Sequence, residues 1–93
     1  MIMRIIYIVV HMALQEEYKD NEITFTIEDK DLEQGYPGNA VMNVTYTVTE
    51  DNELAISYNA KADKTTTFNM TNHSYFNLNG HKSGKVYSQI LQI

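Results

Sequence analysis

The chain has 93 residues, no cysteine and a formal charge of −5, from 12 acidic and 7 basic side chains. That length holds one small domain with a thin stability margin, because a short chain buries a smaller share of its surface than a long one. The lack of cysteine excludes disulfide reinforcement and points to no oxidising compartment, and the acidic balance argues against a nucleic-acid partner, whose phosphates need a basic face.

Residues 1–14 read MIMRIIYIVVHMAL, with an uninterrupted apolar run at 5–10. That run is far shorter than the ~20 residues that cross a bilayer, so no membrane partner is expected. Arg4 would make a weak signal-peptide n-region, but His11 interrupts the apolar segment and no A-x-A-like cleavage site follows. The run is therefore read as a buried β-strand rich in Ile and Val, and the protein as cytoplasmic. Asn-x-Ser/Thr matches at Asn43, Asn69 and Asn72 are read as chance in the absence of a secretion signal.

From Glu22 the pattern alternates, with Ile23, Phe25 and Ile27 on one face and Thr24 and Thr26 on the other. Period two with β-branched residues predicts a strand. Residues 28–39 carry charge and end in the cluster GYPGN, a loop with a tight turn at Pro37-Gly38. Alternation resumes at Val41, where Met42, Val44, Tyr46 and Val48 oppose Asn43, Thr45, Thr47 and Thr49. The polar loop at 50–53 and the alternation of Leu54, Ile56 and Tyr58 then predict a β-hairpin. After a turn at 61–64, residues 65–73 are expected to form a strand with Phe68 and Met70 on one face and Thr67, Asn69, Thr71 and His73 on the other. A loop at 80–84 and a last strand at 86–93 complete an all-β, mostly antiparallel chain with no helical period and no repeat.

Residues 71–78 read TNHSYFNL and concentrate the chemistry. In an extended chain His73 shares a polar face with Thr71 and Tyr75, a surface suited to a sugar, whose hydroxyls need paired donors and acceptors and whose C–H faces pack on aromatic rings. From spacing alone two readings stay open: a hydrogen-bonded structural histidine, or one that meets a ligand. His11 beside the apolar run and His81 in a turn are assigned no role. No His, Cys or carboxylate pair has recognisable metal-ligand spacing, and there is neither a nucleophile elbow nor a phosphate loop.

Three blocks stand in order at close spacing: EQGYPGN at 33–39, VTYTVTEDNEL at 44–54 and TNHSYFNLNGHKSG at 71–84. Together they resemble the aldose 1-epimerase (galactose mutarotase) family, over about residues 21–93. The resemblance implies a galactose-mutarotase-like β-sandwich (supersandwich) of antiparallel strands, of which 21–93 would be a partial domain and 1–20 an N-terminal segment without assignment. It implies interconversion of the α and β anomers of free aldoses such as galactose and glucose, without cofactor or metal. By this resemblance His73 is the general acid that protonates the ring oxygen, and Ser74 and Tyr75 help line the sugar site. Asn72 and Asn77 would hold strand and turn in place, and the 36–39 loop would be structural. An imidazole titrating near ~6.5 suits such proton exchange.

The sequence departs from the family pattern. The family's second histidine and sugar-binding asparagine–arginine pair belong upstream of the matched region, and its glutamate base and a sugar-binding aspartate belong beyond Ile93. The chain is accordingly read as an internal piece of a mutarotase. Three functions follow: an epimerase using His73, a non-catalytic carbohydrate-binding fragment, or a structural fragment that self-associates through exposed strand edges.

Overall fold

The computed structural model describes residues 15–72 and 74–93. The strand expected at 5–10, His11 and His73 lie outside the described residues. Four strands form one antiparallel sheet in the order β1-β2-β3-β4: Gln15–Lys19, Glu22–Asp29, Ala40–Val48 and Leu54–Ala62. Three of them follow the predicted alternation closely. The all-β, antiparallel expectation holds for the described residues.

The register explains why the pattern has period two. Ile27 lies opposite Met42, Phe25 opposite Val44 and Ile23 opposite Tyr46, while β4 adds Ala60, Tyr58 and Ile56 to the same rows. One face of the sheet is therefore largely apolar; Ile27, Ala40, Met42 and Val44 are its buried hydrophobic residues, and Asp29 is buried opposite Ala40 at the end of β2. The other face is a polar ladder between directly opposed residues. Thr24 and Thr45 share a hydroxyl–hydroxyl bond of 2.9 Å, Asn43 Nδ2 donates to Thr26 Oγ1 at 2.7 Å, and Thr47 Oγ1 donates to Glu22 Oε2 at 3.1 Å. Such cross-strand pairs fix the register from the solvent side.

Turns lock the ends. Asn21 Nδ2 donates to the Val48 carbonyl at 2.6 Å and the Val48 N–H donates to the Asn21 carbonyl at 3.0 Å, which carries the β2–β3 pairing into the β1–β2 turn. The β3–β4 loop closes where the Thr49 N–H donates to the Glu53 carbonyl and Thr49 Oγ1 accepts the Glu53 N–H. Asn52 takes the left-handed conformation there (φ 61°), which asparagine tolerates.

Strand β1 was not expected. All its residues are exposed, so it carries no apolar alternation, and pairing with β2 alone makes it a strand. Two expected strands are corrected. The described residues of 65–73 and those of 86–93 form no strand. In the first, period two was real: Thr66, Phe68, Met70 and Asn72 are half-buried and their neighbours exposed. The segment lies extended across the sheet, with Phe68 and Met70 packed on Ile27, Ala40 and Met42. Alternation reports which side chains are covered, not whether the backbone joins a ladder. In the second, apolar content misled. Tyr87, Ile90, Leu91 and Ile93 are all exposed, and the Gln89 N–H closes a turn on the Val86 carbonyl at 2.9 Å.

Met42 is 1% exposed and touches both the sheet and its cover. Met42→Ala should lower the unfolding free energy by about 2–5 kcal/mol, a typical cost for truncating a buried methionine. Urea denaturation followed by circular dichroism checks this, and a loss below about 1 kcal/mol would contradict the assigned core.

Candidate functional site

The stretch TNHSYFNL is carried onto the sheet by the segment before it. After β4 the chain bends at Asp63-Lys64 and crosses the apolar face, with Phe68 and Met70 turned inward. Asn72 follows with the same parity. Its Nδ2 donates to the Tyr46 hydroxyl at 2.9 Å, and its Oδ1 accepts the Ser74 N–H at 2.8 Å. One amide thus ties the backbone beyond position 73 to the middle of the sheet. Tyr46 is oriented in turn by an edge-to-face contact with Phe25, with ring centroids 6.1 Å apart at 84°.

Of the expected site residues, His73 lies outside the described residues. Ser74 and Tyr75 are exposed, Tyr75 at 90%, on the segment that Asn72 anchors. Tyr46 was not singled out from sequence. The available signal was a lone hydroxyl in the row Ala40, Met42, Val44, Tyr46, Val48, since a half-buried phenol needs a partner.

Asn77 organises the next turn. Its Nδ2 donates to Ser83 Oγ at 3.0 Å and to the Gly84 carbonyl at 3.2 Å, while its Oδ1 accepts the Asn79 N–H at 3.0 Å and Gln89 Nε2 at 2.8 Å. Two donors and two acceptors exhaust the amide, so Asn77 shapes the loop and has nothing left for a ligand. His81 is exposed in this turn.

A second polar cluster joins the 30–39 loop to the end of β4. Asn39 donates its N–H to Asp63 Oδ1 at 2.8 Å and its Nδ2 to Asp63 Oδ2 at 2.7 Å, and its carbonyl accepts the Asp63 N–H at 3.1 Å. Asp31 accepts the Gly38 N–H and the Lys64 ammonium, the latter at 3.1 Å. The side-chain and backbone bonds from Asn39 hold the Asp63 carboxyl below its ordinary pKa, and the Gly38 N–H followed by Lys64 does the same for Asp31. These bonds join the 30–39 loop to the end of β4 and make the cluster a clasp between them. Gly38 is required in it. Its φ is +89°, and a Cβ there would stand 2.9 Å from Asp63 Oδ1 and 3.1 Å from the Lys64 nitrogen. Among the described residues no group of three or more His, Cys, Asp or Glu is placed to hold a metal. No helix among the described residues is long and apolar enough to cross a membrane.

The pattern of the family described as aldose 1-epimerase matches residues 11–93. An aldose 1-epimerase of Haemophilus influenzae is 44% identical over 69 residues, which cover 74% of this chain and 20% of that protein. An aldose 1-epimerase of Escherichia coli is 45% identical over 64 residues, covering 69% of this chain and 18% of that protein. A galactose mutarotase of Sus scrofa is 45% identical over 73 residues, covering 78% of this chain and 21% of that protein. The chain thus spans about a fifth of the length of the curated relatives it matches. No solved structure matches it significantly.

Two outcomes follow from the geometry. Asp63→Asn should lower the thermal midpoint at neutral pH. Because the Asp63 pKa is depressed in the fold, its contribution is complete above the unfolded value of ~3.9 and disappears as pH falls through the folded value. The gap between variant and wild type should therefore close in acid, and thermal scans over a pH series would show it; a gap independent of pH would contradict the clasp. Tyr46→Phe keeps the ring contact with Phe25 but removes the acceptor for Asn72. It should cost about 0.5–1.5 kcal/mol, and combining it with Asn72→Ala should be less than additive in a double-mutant cycle read by urea denaturation.

Proposed function

The chain belongs to the aldose 1-epimerase family, and from that premise we propose that it forms part of an enzyme interconverting the α and β anomers of free aldoses such as galactose and glucose. In this reading His73 gives a proton to the ring oxygen, the ring opens, and the aldehyde turns about C1–C2 before the ring closes on its other face. Ser74 and Tyr75 line the sugar site. In the family pattern the base that takes the proton from the anomeric hydroxyl is a glutamate that none of the glutamates of this chain matches, and the chain spans about a fifth of the length of its relatives. The partner is a small-molecule aldose, with no nucleic acid and no membrane. A larger β-sandwich, of which the four-stranded sheet is one piece, and a cytoplasmic location belong to the same proposal.

One observation supports this reading beyond the family match. Asn72 binds both the Tyr46 hydroxyl and the Ser74 N–H. The neighbours of position 73 are thereby fixed to a sheet rather than left on a free loop. An acid that must meet one ring oxygen needs such a footing, because proton transfer demands hydrogen-bond reach.

The alternative is a non-catalytic carbohydrate-binding or structural fragment that pairs with another chain. Polarimetry of freshly dissolved α-galactose separates the readings. Any acceleration of the drift over buffer should vanish in His73→Ala, since a positioned acid or base contributes about 10²- to 10⁴-fold when its partner is complete. Equal rates for wild type, variant and buffer would reject catalysis by this chain alone. Shifts of the Ser74 and Tyr75 amides on titration with galactose would then support the binding reading.

A further inference from the structure

Asn79 is the single asparagine of the chain that stands before a glycine; the others precede Glu, Ala, Val, Met, His or Leu. The pairing matters chemically. The side-chain carbonyl of an asparagine lies within reach of the backbone nitrogen of the next residue, and attack by that nitrogen closes a cyclic imide. A Cβ on the following residue hinders the approach, whereas glycine has none and turns freely. The Asn79-Gly80 step lies in the turn that Asn77 organises.

That turn restrains the reacting atoms. The Gly80 N–H, which must lose its proton before it attacks, donates to the Asn77 carbonyl at 3.1 Å. The Asn79 N–H donates to Asn77 Oδ1 at 3.0 Å. The Asn77 amide is held in turn by Ser83 Oγ, the Gly84 carbonyl and Gln89 Nε2. Ser83 Oγ donates back to the Gly80 carbonyl at 2.7 Å, so both backbone groups of Gly80 are engaged. A Cβ built on Gly80 would meet nothing within 4 Å. Among the described residues, hydrogen bonds rather than packing therefore fix this residue. The reacting atoms and the bonds that restrain them all lie within residues 77–89.

We propose that Asn79 is a site of self-modification, at which the Gly80 nitrogen converts the side-chain amide to a carboxylate at a rate set by the Asn77 turn. The Gly80 nitrogen bonds to Asn79 Cγ, the Cγ–Nδ2 bond breaks, and the proton lost by Gly80 leaves with Nδ2 as ammonia. Water then opens the succinimide. Attack at Cγ gives aspartate. Attack at the backbone carbonyl carbon gives isoaspartate, whose main chain runs through Cβ and Cγ and is longer by a methylene. Both products carry a new negative charge. The second also lengthens the segment between the Asn77 carbonyl and the Gly80 N–H, so the restraining turn no longer closes as before.

The test incubates the full chain in mildly alkaline buffer, folded and in guanidinium chloride. Residue 79 is followed by peptide mapping, with enzymatic isoaspartyl methylation as the second readout. Carboxylate should gather at 79 ahead of every other asparagine in both states, and about tenfold or more slowly in the folded chain, where hydrogen bonds must open first. Asn77→Ala keeps the Asn-Gly step but removes the amide. It should speed the folded chain about fivefold or more and leave the rate in denaturant unchanged. Ser83→Ala removes one bond at Asn77 and one at Gly80 and should fall between the two, which keeps the test open if Asn77→Ala does not fold. No preference for position 79 in denaturant would overturn the site. Equal rates in the folded and unfolded chain, or a Ser83→Ala chain no faster than wild type, would overturn control by the turn.

Discussion

The course of the chain after β4 depends on the cover that Phe68 and Met70 place over the core of Ile27, Ala40 and Met42. The sheet is an antiparallel meander with one apolar face, and such a face must be covered to be stable. Among the described residues the cover is the extended segment after β4, and it acts on Ile27, Ala40 and Met42. Full burial of an aliphatic or aromatic side chain is worth about 1.5–3 kcal/mol, so two half-buried residues supply a few kcal/mol at most. That is still more than the ~1 kcal/mol of a single neutral hydrogen bond. Packing therefore brings residues 65–72 to the sheet, and the Asn72–Tyr46 bond sets where they stop.

Both strong polar groupings work in the same service. The clasp of Asn39, Asp63, Asp31 and Lys64 fixes where the chain leaves β4 for the crossing, and Gly38 gives it room. Asn72 fixes where the crossing ends. Between these anchors the segment has little freedom to slide, and a slide of one residue would exchange its apolar and polar sides.

Much of this was legible in the sequence, and each failure has a physical reason. Strands β2, β3 and β4 announced themselves because each alternates apolar with polar side chains. Strand β1 did not, because its covered side is only the backbone edge of β2. Residues 65–72 showed the right period, yet the period arose from packing on a face rather than from pairing. The block at 71–78 stood out by composition, but its anchor Tyr46 lies 26 positions away from Asn72, beyond any local pattern. The clasp likewise joins Asn39 to Asp63 across 24 positions, where the sequence reads only as two turns.

The electrostatics of the clasp bear on which groups can share proton transfer with a histidine. Epimerisation needs one group to give a proton and another to take one, each with a pKa near the working pH. Asp31 and Asp63 are the carboxylates whose pKa is lowered, because backbone and side-chain donors already stabilise their charge. Their affinity for a further proton falls for that reason, and their oxygens are turned to Gly38, Lys64 and Asn39. The donors that stabilise their charge are what make them structural pins. A catalytic carboxylate needs the opposite setting: fewer donors and a neighbouring hydroxyl to relieve of its proton. The chain thus divides its labour, with charged groups holding the 30–39 loop to the end of β4 and a neutral amide, Asn72, holding the Ser74 backbone to Tyr46.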